Sequence, residues 1–171
     1  MWQELLHDLQ KGDFKALART ISFVENRVEG YSELMKQLPS SSTGIIGITG
    51  PPGAGKSSLA DALIGEIVQQ GKKAAVLCVD PSSPFNLGAL LGDRIRMSEW
   101  YDHPNVFIRS LASRGSLGGL NPMIIEITEL VKAAGFDHII IETVGVGQSE
   151  VEIAGLADVT VVVVVPEAGD E

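Results

Sequence analysis

The stretch "GITGPPGAGKSSLADAL", Gly47 to Leu63, sets a glycine-rich bend between an apolar run and a helix-like one. Within it "GPPGAGKS", residues 50–57, satisfies G-x-x-x-x-G-K-S and stands where a strand ends and a helix begins, the context that gives the pattern a mechanism. A chance match in a chain of this glycine content is on the order of one in a hundred before that context is required. Gly50, Gly53 and Gly55 allow the backbone to fold so tightly that successive N–H groups point inward. The helix starting at Lys56 adds unpaired donors and the positive end of its dipole. The whole run Gly50, Pro51, Pro52, Gly53, Ala54, Gly55, Lys56, Ser57 and Ser58 is therefore a candidate cradle for phosphate oxygens. Lys56 is placed to reach the β and γ phosphates of a nucleotide, and the Ser57 hydroxyl to bind Mg²⁺. A flexible turn with an incidental lysine is the weaker reading.

On either side the chain shows short, nearly continuous apolar runs from Gly44 on: "IIGIT", "AAVLCV", "NVFI", "HIII" and "VTVVVVV". Strands buried on both faces read this way, and helical segments between most of them predict crossovers. The expected fold is α/β and doubly wound, a mostly parallel sheet with helices on both faces. Ligands in such sheets bind beyond the carboxyl ends of the strands. Asp80 ends "AAVLCV" and Glu142 ends the "HIII" run, so both acids face the loop side and are candidate Mg²⁺ ligands. The alternative for each is a solvated acid at a strand end. Gly145, three residues past Glu142 in "TVGVGQSE", suits a switch loop whose N–H bonds a γ-phosphate and releases it after hydrolysis; a plain glycine-rich turn is its alternative.

Ahead of this domain, Phe14, Leu17, Ile21, Val24 and Val28 recur at helical spacing behind Asp13, a candidate N-cap, and a shorter helix is expected over Trp2 to Leu9. "PSSSTG", residues 39–44, breaks the periodicity and reads as a linker. Residues 1–38 are thus expected to form a helical extension, and residues 44–171 the phosphate-loop domain. After "VTVVVVV" the chain meets Pro166 and "EAGDE" and stops, without the covering helix such sheets usually add, so a truncated chain is expected.

The 171 residues suit one domain of ordinary size. A net charge of -9, from 13 basic and 22 acidic residues, disfavours nucleic acid and anionic membrane as partners. A local nest with a bound cation still holds a small phosphate ligand against that background. Cys78 is the single cysteine and lies in an apolar run, an inert core thiol by this reading. No secretory pattern opens the chain and no apolar run approaches the roughly 20 residues of a spanning helix, so a cytoplasmic protein is expected.

Taken together, "GITGPPGAGKSSL", "VDPSS", "LGDRIRM", "GGLNP" and "AAGFDHIIIETVGVGQSEVE" resemble the GTPase chaperones associated with methylmalonyl-CoA mutase, the MeaB/ArgK group long labelled lysine/arginine/ornithine transport ATPases. The likeness runs from "LARTISFVENR" to "PEAGDE", nearly the whole chain. It implies a phosphate-loop GTPase that uses GTP and Mg²⁺, guards assembly and reactivation of an adenosylcobalamin-dependent mutase, and forms a homodimer as a full-length protein. By matched position it implies Ser57, Asp80, Asp93 and Glu142 as magnesium-site residues, Lys56 as the phosphate lysine and Gly145 in the second switch. Asp93 without the resemblance reads only as a helix N-cap. Arg96, in the same segment, becomes a candidate for the phosphates; unaided it reads as a solvated helix residue. The family's N-K-x-D guanine motif and its dimerisation helices lie downstream of Glu171, so guanine preference is carried by the resemblance alone. Glu167 stands where glycine is common in the family's third switch.

The general base is unassigned: Val146 follows the switch glycine, where a water-orienting glutamine would be useful, and Gln148 lies two residues on. Slow intrinsic turnover, raised by a partner, is therefore expected. Three other readings stand beside it. A kinase or transport ATPase would draw on Arg109 and Arg114 near "SRGSLGG". A metal-insertion GTPase would want a cysteine or histidine cluster, whereas His7, His103 and His138 are widely separated. A binding module would dock a partner on the N-terminal helices.

Overall fold

Five strands make one wholly parallel sheet in the computed structural model, which describes residues 1–80, 97–112, 120–143, 145 and 149–166, with Asp80 described by its backbone alone. They are β1 (Gly44–Thr49), β2 (Ala74–Asp80), β3 (Val106–Ala112), β4 (His138–Thr143) and β5 (Val159–Val162), laid side by side in the order β3-β2-β4-β1-β5. Every pairing is parallel, so the carboxyl ends of all five share one rim. The register sets Glu142 opposite both Ile48 and Cys78, and Asp80 opposite Ala112.

The apolar runs are continuous because successive side chains are buried on opposite faces. Along β2, Ala75, Leu77 and Val79 enter one core cluster and Ala74, Val76 and Cys78 the other. The second cluster is closed by α4 (Lys56–Gln69) through Ala60, Ile64 and Ile67, with Met97 beside them. The first is closed by α5 (Ile124–Ala133), by Ile153 of α6 (Ser149–Leu156) and by the N-terminal helices α1 (Trp2–Gln10), α2 (Phe14–Glu25) and α3 (Tyr31–Lys36). A 3-10 turn, Ser98–Trp100, returns the chain toward α4, and the Trp100 indole donates to Asp61 at 2.6 Å.

The N-terminal helices are built into this core. Leu9, Leu17, Ile21 and Val24 are fully buried, and Phe14 stacks on Phe136 and meets Phe107 edge-on. The Asp13 carboxylate caps α2 by accepting from Lys15 N at 2.7 Å and Ala16 N at 3.1 Å. The helix closes at Glu25, earlier than the spacing through Val28 predicts, where the chain turns through Arg27 at φ +50°. Val28 remains half-buried beyond the helix end.

Strand β5 stops at Val162 and pairs with β1 alone among the described residues, with Val159 58% and Val162 61% exposed.

Candidate nucleotide-binding site

The phosphate loop occupies the rim between β1 and α4. Gly50, Gly53 and Gly55 take φ of +136°, +78° and +99°, angles a side chain would oppose. Gly50 is fixed twice over, since a Cβ there would collide with the Val163 carbonyl, and Val163 N donates to Thr49 O at 2.8 Å. Around Gly53 and Gly55 the reverse holds: among the described residues a Cβ on either would meet nothing within 4 Å, so they leave the outer side of the loop open to a ligand. Helix α4 begins at Lys56, so the loop ends in the first-turn N–H groups and the positive dipole end of a 14-residue helix.

Lys56 is buried, 6% exposed, and its ammonium donates to Gly50 O at 2.8 Å and Pro51 O at 2.9 Å. Ser57 is the next residue on α4. Its hydroxyl donates to Glu142 Oε1 at 2.7 Å, joining the helix start to the end of β4. The rim below is fastened by Thr143 Oγ1, 3.1 Å from Thr49 Oγ1 and buried with it. Gly145 has φ +87° and lies against the loop: a Cβ there would overlap the Gly50 carbonyl and come within 3.0 Å of Lys56 Nζ.

Lys56, Ser57, Glu142 and Gly145 are thus gathered at one mouth, with the Asp80 backbone on the same rim one strand over. Asp93, Arg96, Arg114, Val146, Gln148 and Glu167 lie outside the described residues. Of the expected magnesium residues, Ser57 and Glu142 supply two hard oxygen atoms already in contact. That is the donor chemistry Mg²⁺ takes when phosphates and waters complete its shell. Among the described residues no three His, Cys, Asp or Glu side chains gather as a metal site.

Contacts that no local pattern signals support the site from behind. Arg109 on β3 donates to Glu25 Oε2 at 2.9 Å, Ser22 Oγ at 2.9 Å and Ala18 O at 3.2 Å, clamping α2 to the sheet. Helix α6, four residues past Gly145, lies directly on β1, with Ile153 and Ala157 filling the space above Gly47.

A parallel sheet with this strand order, a glycine loop at the rim and a lysine-serine helix start define a phosphate-loop NTPase fold. A crystal structure of an LAO/AO transport system kinase has the same fold, with a TM-score of 0.71 and 31% identity over 99% of this chain and 51% of that one. The chain belongs to the MeaB family, whose model, described as methylmalonyl Co-A mutase-associated GTPase MeaB, matches residues 17–171. A Pyrococcus abyssi protein that carries GTPase in its name is 49% identical over 173 residues, 100% of this chain and 53% of its own length. A fused isobutyryl-CoA mutase of Geobacillus kaustophilus is 41% identical over 181 residues, 96% of this chain and 16% of that protein. The chain therefore spans about half the length of the Pyrococcus protein.

Proposed function

We propose that the protein binds GTP with Mg²⁺ and hydrolyses it to GDP and phosphate, and that this cycle gates cofactor loading and reactivation of an adenosylcobalamin-dependent mutase. The observation that carries the reading is the convergence of Lys56, Ser57, Glu142 and Gly145 on a loop whose outer side is open. The family's description names a mutase-associated GTPase, and the Geobacillus protein joins a similar segment to a mutase in one chain. Both support the partner, methylmalonyl-CoA mutase or a relative of it.

In this reading the loop N–H groups and α4 hold the β-phosphate, and Lys56 leaves the Gly50 and Pro51 carbonyls to span the β and γ phosphates. Ser57 and Glu142, with Asp80 and Asp93, would hold Mg²⁺, which when bound supplies charge neutralisation of the phosphates. The Gly145 N–H reports the γ-phosphate, and Arg96 adds charge to it. Catalysis is positioning and electrostatics, with water attacking in line, and without an assigned base turnover is slow. Among the described residues Ser149 Oγ and Glu150 Oε1, at the start of α6, are buried without a hydrogen-bond partner. Such a segment has something to gain by rearranging, which supports a switch there. Residues 1–38 and 44–171 are read as helical extension and nucleotide domain of a cytoplasmic protein, homodimeric at full length; no described helix is long and apolar enough to cross a membrane.

The kinase named for the similar crystal structure is the second reading. Against it, Arg109, one of the arginines such a lid would use, is engaged on α2. The test is GTP turnover of the full-length protein with and without mutase, with product analysis. Slow release of free phosphate that the mutase accelerates is expected; fast turnover indifferent to the mutase, or transfer to a small acceptor, would count against it.

A further inference from the structure

Helix α6 follows the switch glycine and touches more than β1. The Glu152 carboxylate, exposed on α6, accepts from Leu120 N through Oε2 at 2.7 Å. Beside it Asn121 is 2% exposed with its amide fully used: Nδ2 donates to Ala112 O at 2.7 Å and Glu25 Oε1 at 3.3 Å, and Oδ1 accepts from Met123 N at 2.9 Å. Glu25 ends α2 and takes its second oxygen to Arg109. Ala112 is the register partner of Asp80.

One buried dipeptide, Leu120-Asn121, therefore ties α6, the rim end of β3 and the end of α2 together. The Asn121 amide is bonded through both its nitrogen and its oxygen, so moving Ala112 or Glu25 away from it leaves a buried polar group to be paired anew. Ser149 Oγ and Glu150 Oε1, without a hydrogen-bond partner among the described residues, lie in the first turn of the same helix α6.

We propose that Glu152 and Asn121 are positioning residues that couple α6 to α2, so that the N-terminal helices change with the nucleotide held at the rim. The inference rests on the nucleotide reading above and adds a route by which a partner on the N-terminal helices senses the bound state. Coupling is a free energy shared between two sites, so the test reads α2 itself.

Hydrogen exchange of the purified full-length protein, compared between Mg²⁺·GDP and a non-hydrolysable Mg²⁺·GTP analogue, supplies it. Coupling of ordinary strength predicts about a fivefold or larger difference in exchange for residues 14–25 in the native protein, falling within about twofold in Glu152→Ala. Glu152→Gln, which keeps an acceptor oxygen for Leu120 N, restores the difference. Asn121→Ala abolishes it from the other side of the node. Throughout, α4 keeps its own response to nucleotide, since none of these residues touches the loop. Identical α2 exchange in both nucleotide states of the native protein, or a response undiminished in Glu152→Ala, would overturn the coupling. If α4 is silent too, the nucleotide reading itself falls and takes the coupling with it.

Discussion

Ser57 Oγ and Glu142 Oε1 lie 2.7 Å apart, joining the first turn of α4 to the last turn of the sheet across 85 residues of chain. A cation drawing on both oxygens would take the serine lone pairs and the carboxylate charge that now accepts the serine proton. Removing the hydroxyl therefore costs metal-dependent affinity and little else. Ser57→Ala is expected to lower the gain in GDP affinity that Mg²⁺ provides by about tenfold, equivalent to 1.4 kcal/mol. Calorimetric titrations with and without Mg²⁺ check this, and binding in chelator should be nearly unchanged.

Gly145 is confined by both its φ of +87° and the Gly50 carbonyl below it. Alanine there adds roughly 1–2 kcal/mol of backbone strain, and its methyl group displaces the segment from the loop. Because the loop and Lys56 stay intact, Gly145→Ala is expected to slow single-turnover hydrolysis of GTP about a hundredfold, the usual loss for one aimed donor. GDP affinity, measured alongside, should stay near the native value.

Helix α6 depends on the missing side chain of Gly47, where a Cβ would stand 3.0 Å from Ile153 and 3.1 Å from Ala157. Gly47→Val is expected to lift the helix from β1 and cost about 1–3 kcal/mol, the range for overpacking. Urea unfolding followed by far-ultraviolet dichroism gives the number, and Gly44→Val, with open space at its Cβ, is the control.

Arg109 and Glu25 join α2 to β3 with side chains 23% and 8% exposed. Arg109→Ala leaves the Glu25 carboxylate with Asn121 as its remaining donor among the described contacts. A loss of about 2 kcal/mol in unfolding free energy is expected, in the range for hydrogen bonds to charged groups.

Features determined by neighbouring residues were legible in the sequence, and those determined by distant ones were not. The phosphate loop, the Asp13 cap and the runs of β1, β2 and β4 follow from local spacing, and the continuous apolar pattern of β2 reports cover on both sheet faces. The place of Glu142 at the rim was legible because it follows the apolar run "HIII". Arg109 was legible only as an arginine that a kinase lid would use, and its clamp on α2, like the contacts of Asn121 and Glu152, was not, because their partners stand 84, 96 and 32 residues away.

The claim on which the account turns is that Gly50 to Ser58, Lys56 above all, hold the phosphate tail of a nucleotide. Calorimetry of the full-length protein with GTP, GDP and ATP in Mg²⁺, set beside Lys56→Ala, tests it most directly. The account predicts saturable one-site binding of GTP and GDP, weaker binding of ATP, and about a hundredfold loss of GTP affinity on removing the lysine, a difference of 2.7 kcal/mol. Absence of nucleotide binding, or an alanine variant that binds GTP as tightly as the native protein, would contradict it.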